Sequence, residues 1–361
     1  MLIFIIGFIA IFLLLPQLGV VTVLLIGEIL ITITIVLLLL SSFKFLNKNN
    51  KWKRKVSNQK YTEDFEEIYK KIYISYTDEL EKLRKKLIKY IIISTAVCLI
   101  LSSIIIKFYY NSESIESILE SILVLDLTVI GSLYLFLNSK YQKKYKEYVI
   151  YNFIKTINYG LTYKNIKNSN LANVFRYAQF KNMIYDKFES DDYITGNVNG
   201  ICLEMSDAIL KKKTSEDRTE TIYKCIFSYS KINKKIPSEI KLIKNQKASK
   251  RENNKVELDY EYFEKYFDVF SESKILVMEI LTHEIMEDLI YFYNNCEIDF
   301  EIIIKEDRIY IRYEIGDIFE GKILRKSTNK QTLWLCYNTL NFAINLSIKI
   351  NKILEEKALI L

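Results

Sequence analysis

The sequence predicts an α-helical membrane portion, four spans in two hairpins, followed by a cytoplasmic α+β domain with a largely antiparallel sheet. Three observations carry that expectation. The long apolar runs of this 361-residue chain all lie before residue 140. One pair of runs has basic residues at both outer ends and mostly acidic ones in its connecting loop. Beyond residue 138 the apolar positions alternate as in strands or recur every three to four residues as in helices.

Residues 1–43 are almost wholly apolar, interrupted mainly by Pro16-Gln17-Leu18-Gly19 and Glu28. No basic segment precedes this run and no small-residue cleavage site follows it, so a cleaved signal peptide is not expected. A turn at 16–19 has the right chemistry but leaves a short first span, 2–15. A turn at Gly27-Glu28 gives two adequate lengths and brings Glu28 to the water interface, avoiding about 2.5–3.5 kcal/mol for a charge at a span's centre. Two crossings are expected, with a single crossing over 20–40 as the alternative. Residues 44–61 form a basic linker.

Residues 62–89 read as an amphipathic helix. Phe65, Ile68, Ile72, Tyr76, Leu80, Leu83 and Leu87 make one apolar stripe. Thr62 is the expected N-cap, and Glu63, Asp64, Glu66 and Glu67 suit the positive end of the helix dipole. Glu66/Lys70, Glu67/Lys71 and Glu81/Lys85 have the spacing of i,i+4 pairs. The stripe points to a stalk packed on the following domain; lying on lipid or self-association is the alternative.

Residues 90–137 form the second hairpin. Its apolar segments, 91–106 and 121–137, are each about 25 Å long as helices, near the thickness of a hydrocarbon core. Lys82, Arg84, Lys85, Lys86 and Lys89 precede it, and Lys140, Lys143, Lys144 and Lys146 follow. The loop holds Lys107 against Glu113, Glu116 and Glu120. The excess of positive charge places both flanks, and both termini of the chain, in the cytoplasm. Asp126 is the one acid in the second segment, about 8 Å from its outer end.

In residues 138–361 helical patterning continues over 142–163. Strands are expected near 193–205, where Gly196 and Gly200 mark a bulge or turn, and at 222–229, with Tyr223, Cys225, Phe227 and Tyr229 on one face. Shorter strands follow at 239–243 and 256–258, separated by an exposed loop at 244–254. Ile275, Met278, Leu281, Ile285, Leu289 and Phe292 line one face of a single helix. A β-hairpin is expected at 298–313 and a final helix at 332–356, a mixture that reads as α+β.

The net charge of +7 is local. Residues 44–60 hold seven basic residues and no acid, leaving 44 basic against 44 acidic elsewhere. This excess suits anionic lipid, and nucleic acid is not an expected partner. Five separated cysteines read as buried thiols in a reducing compartment. His283 is the only histidine; His283-Glu284-Ile-Met-Glu287 lacks the second histidine of a zinc-protease helix and reads as an exposed acidic face. No glycine-rich phosphate loop occurs, and no cofactor, metal or catalytic set is expected. The aromatic run 260–267 has only Lys265 beside Glu261 and Glu264, which suits packing better than nucleic-acid stacking. Glu28 and Asp126 are the candidate functional residues, because ionisable groups in spans often mark ion or proton routes; boundary positions or interhelical hydrogen bonds are the plainer account.

From about Glu79 to Glu356 the chain resembles a bacterial family catalogued as domain of unknown function 3137. The likeness lies in Glu79-Leu-Glu-Lys-Leu-Arg-Lys-Lys before the hairpin, Asp192-Tyr-Ile-Thr-Gly196, Tyr223-Lys-Cys-Ile-Phe227, Leu258-Asp-Tyr-Glu-Tyr-Phe-Glu-Lys-Tyr-Phe267, Ile280-Leu-Thr282 and Met286. His283 departs from the proline more usual there, and the first hairpin lies outside the resemblance. It implies a membrane-anchored cytoplasmic domain in the bacterial inner membrane, with no activity to carry over, and an association with LemA-type membrane proteins. The functional expectation is a domain displayed to a protein partner. A transport component using Asp126 is the alternative, and a membrane-tethered enzyme the third.

Overall fold

The computed structural model describes residues 61–109, 115–157, 160–166, 170–181, 183–215, 218–245, 254–324 and 330–358. The expected first hairpin, with Glu28, and the linker up to residue 60 lie outside them, as does most of the loop expected at 244–254. The chain divides into two compact units: Glu81–Tyr141 lies in one, and Asn58–Leu80 with Gln142–Leu361 forms the other.

Helix α1, Glu63–Tyr109, unites the expected amphipathic helix and the first apolar segment. Its 47 residues extend about 70 Å, because nothing between residues 82 and 91 breaks a helix. Thr62 caps it as expected, its Oγ1 accepting from Phe65 N at 3.4 Å. The stripe faces inward at Phe65, Ile72, Leu80 and Leu87, all buried. The charge pairs differ in part from expectation. Glu67 meets Lys71 at 2.9 Å, but Glu81 takes Arg84 and Glu66 takes Lys330.

Helix α2, Ile115–Tyr145, carries the second apolar segment. Within the first unit, Ser102, Ile106, Ile122, Asp126, Ile130 and Leu137 are buried in the seam of the hairpin. Ile92, Val97, Ile100, Leu101 and Ile104 of α1, and Val124, Leu125, Leu135 and Phe136 of α2, are exposed. The helical runs Glu63–Ile106 and Glu120–Ile157 are long and apolar enough to cross a membrane.

In the second unit the helical path goes on through a π turn, Lys146–Ile150, and α3, Tyr151–Ile157. It ends earlier than the pattern to residue 163 implies, since Leu161–Lys164 is strand β1. After α4, Asn170–Ala178, come β2 (Lys187–Val198), β3 (Ile201–Ser215), β4 (Arg218–Lys231), β5 (Ile240–Lys244) and β6 (Lys255–Val256). Then follow α5 (Glu261–Glu264), β7 (Phe267–Phe270), α6 (Lys274–Ile280), α7 (His283–Cys296), β8 (Phe300–Lys305), β9 (Arg308–Tyr313) and α8 (Lys330–Ala358). Among the described residues nine strands form one sheet in the order β1-β2-β3-β4-β9-β8-β5-β7-β6, antiparallel at each pairing.

One sheet face packs on α4. Leu171, Phe175 and Ala178 meet Ala208, Leu210, Cys225, Phe227, Ile303 and Tyr310 there, and the expected face of β4 is the one involved. The other face carries α7 and α8. Phe292 of α7 stacks on Phe342 of α8 at 4.2 Å, and both rings pack against Phe300 of β8. With both faces covered, Phe300 to Ile304 are all buried, Glu301 included, as an almost continuous apolar strand requires.

The single helix expected from 275 to 292 is two. Leu281 leaves helical geometry, and Thr282, extended at φ −61° and ψ 162°, caps α7 by accepting from Ile285 N. Ile275 and Met278 therefore do not join the core face and stay exposed. The expected turn at Gly200 is present, with Asn199 and Gly200 both at positive φ, as a two-residue hairpin demands.

Candidate functional site

Lys146 opens the π turn, where one extra residue in the helical repeat alters the direction of the side chains; such widened turns recur at functional sites. The residue is buried, and its Nζ lies 2.7 Å from both carboxylate oxygens of Asp192 and 3.6 Å from Asp191. Asp192 is 1% exposed. It sits at a break in the β2–β3 register between Asp191 and Ile194, in left-handed backbone at φ 56°, a conformation that costs free energy in a residue with a Cβ. Tyr163 of β1 donates to the same carboxylate. Gly196, four residues on, is required by packing: a Cβ there would lie 1.9 Å from Gly160 O.

Two further layers close round this pair. Ser206 Oγ lies 2.6 Å from Asp191 O, to which it donates. Asp207 stands opposite Asp191 in the ladder, on the sheet face covered by α8, and its Oδ1 is buried without a hydrogen-bond partner among the described residues. From the segment after β9, Asp317 accepts from Lys224 at 3.1 Å and Glu320 accepts from Gln142 at 3.3 Å. Gly321 lets that segment close on Tyr145, whose ring a Cβ would meet at 2.4 Å.

Burial dominates the electrostatics. It pushes the Asp207 carboxyl well above the usual carboxylate range, with Asp192, Asp317 and Glu320 adding to the effect. Burial also raises Asp192 against the pull of Lys146, and raises Glu320. For Lys146, burial draws the ammonium down, but Asp192 and Asp191 draw it up by more, so it stays a cation. The group can hold and exchange protons and fasten one segment to another. Among the described residues no three His, Cys, Asp or Glu side chains are placed to hold a metal ion.

Of the residues singled out from sequence, Asp126 is 4% exposed and accepts from Ser102 Oγ at 2.7 Å across the hairpin. The His283 side chain is 71% exposed, with Nε2 4.0 Å from Glu287. The aromatic run divides: Phe263 and Phe267 are buried, whereas Tyr262 is exposed and Tyr260 donates to Glu287. Cys225, Cys296 and Cys336 are buried thiols, but Cys202, an outward position of β3, is exposed. Sequence reasoning missed the Asp207 group. In the sequence Lys146 reads as a flanking charge and Asp192 as a point of family likeness. The one available signal was that Asp207 falls at the alternate spacing set by the apolar Leu203 and Met205.

A groove of about 290 Å³ lies between α7 and α8, lined by Tyr291, Phe292, Asn338, Asn341, Asn345 and Phe342 among others.

A family model described as protein of unknown function (DUF3137) matches residues 221–352. Over that stretch the chain matches the family that its motifs resemble. The DUF3137 match takes in the motifs at 223–227, 258–267 and 280–286, and it covers most of β4, all of β9 and α7, the groove, and most of α8. The motifs at 79–86 and 192–196 precede it. Among solved structures, the crystal structure of the mycobacterial trehalose monomycolate transport factor A, TtfA, is 7% identical, with a TM-score of 0.33 over 54% of this chain and 88% of that one. No curated protein matches the chain.

Proposed function

We propose that this is a multi-pass protein of the bacterial cytoplasmic membrane, with cytoplasmic termini, that displays its α+β domain to a protein partner. The observation that carries the reading is the exposed apolar surface of the hairpin, from Ile92 to Ile104 and from Val124 to Phe136. Patches of that extent on a protein mark contact with lipid or protein. Support for the displayed domain comes from the groove beside exposed Tyr291 and from exposed Ile275 and Met278. A LemA-type membrane protein is the partner the family resemblance suggests.

Two measurements test this. In intact bacterial cells a membrane-impermeant maleimide should leave exposed Cys202 unlabelled until the membrane is opened, and alkali should not extract the protein. Labelling of intact cells, absent in Cys202→Ser, overturns the topology. A photoreactive residue at Tyr291 should crosslink one partner, lost in Ile275→Asp; recovery of no partner overturns the display role. Transport through Asp126 is the second reading, favoured by its burial inside the hairpin. Ion flux in liposomes that is absent, or unchanged in Asp126→Asn, removes it.

A further inference from the structure

Five carboxyl groups, Asp191, Asp192, Asp207, Asp317 and Glu320, face two ammonium groups, Lys146 and Lys224, at one end of the sheet. Directly opposed like charges in a ladder repel, and Asp191 and Asp207 are so opposed. Three of the carboxyls fasten other parts of the domain. Asp192 holds Lys146 of the π turn, Asp317 holds Lys224 of β4, and Glu320 holds Gln142 at the start of the helical run. Asp207 holds none of them. It is 8% exposed, it interacts electrostatically with Asp192, Asp317, Glu320 and Lys146, and its Oδ1 has no hydrogen-bond partner among the described residues.

We propose that Asp207 is a proton-binding site, and that the bound proton latches the helical run 142–157 and the segment 314–324 onto the sheet. As an acid, Asp207 places no charge among the three fastening carboxylates. As a carboxylate it repels all three and competes with Asp192 for Lys146. Its other neighbours are Tyr163 of β1, Cys225 of β4 and Cys336 of α8, none of which supplies a countercharge. Burial and the facing acids, as described above, keep the proton on in the closed form.

The direction follows from linkage. The closed form binds a proton that an opened, hydrated Asp207 releases at ordinary carboxylate acidity, so closure is favoured at low pH. Opening then increases as pH rises through the window between the open and closed acidities, by at most about ten-fold per pH unit for one proton. The latch does not rest on the membrane reading.

Hydrogen–deuterium exchange of the full chain in detergent micelles, corrected for chemical exchange, tests it between pH 5 and 8. In the wild type, opening of 142–157 and 314–324 should increase with pH, approaching that ten-fold limit. In Asp207→Asn, which keeps the shape without this titration, the increase should be clearly smaller, the remainder coming from Asp192 and Glu320. Asp317→Asn, at a partly exposed position, should show a smaller increase at the upper end. A flat wild type, or equal increases in wild type and Asp207→Asn, overturns the proposal. Should Asp207→Asn fail to fold, an Asp317→Asn curve identical to the wild type overturns it.

Discussion

Lys146 and Asp192 form a buried pair whose value depends on both members being present. Removing one partner leaves a charge or an acceptor in a site closed to water, which typically costs about 3–5 kcal/mol. Lys146→Met should therefore destabilise the domain by that amount, measured by denaturant unfolding of the full chain in micelles. The double variant Lys146→Met/Asp192→Asn should recover part of the loss, since asparagine tolerates the left-handed backbone, still accepts from Tyr163 and leaves no unpaired charge. A double variant no more stable than the single one contradicts this. Neither residue's role was legible beforehand. A lysine close after a hydrophobic segment looks like any cytoplasmic flank, and its partner lies 46 residues away. Asp126 was easier to read, because the polarity of its surroundings is set by the span itself. An interhelical hydrogen bond is one of the two plainer accounts of Asp126 beside a transport role, and Ser102 donates one.

Elements show where local chemistry decides and where it does not. Apolar spacing alone runs unbroken from Ile275 to Phe292, yet the chain stops at Ile280 and restarts at His283. Thr282 makes the difference by capping α7, and Ser273 does the same for α6, its hydroxyl accepting from Leu276 N at 3.3 Å. Both are N-cap residue types, a signal that periodicity does not contain. Thr282→Ala should cost about 1 kcal/mol, seen as a lower denaturation midpoint with unchanged slope, while Thr282→Ser should keep most of the stability. Equal losses in the two variants would exclude the cap. Where spacing and burial agree, as in β4, the β8–β9 hairpin and α8, the elements stand close to their expected limits. The long α1 is another case: the stripe and the apolar segment were legible separately, but their fusion required only that nothing intervene.

Across the second unit, the start of α1 and the C-terminal helix are joined by rings. Phe65 is fully buried, with Trp334 at 5.0 Å, Tyr61 at 5.4 Å and Tyr337 at 5.6 Å, and Lys330 lies 4.3 Å from the Tyr61 ring centre. Truncating a buried phenylalanine costs about 3–5 kcal/mol. Phe65→Ala should release the segment 61–80 from the domain, in line with the packed stalk expected from the stripe. In a Trp52→Phe background Trp334 fluorescence reports it, and an unchanged spectrum and midpoint would show that the cluster does not hold α1. The sequence by itself determined the span candidates, the charge asymmetry about the hairpin and most of the strands and helices, because each follows from residues close together in the chain. The tertiary structure alone decided which charges are buried. Asp192, Asp207 and Lys146 are buried only when β2, β3 and the π turn close on one another, and burial then raises the two carboxyls above their ordinary acidity.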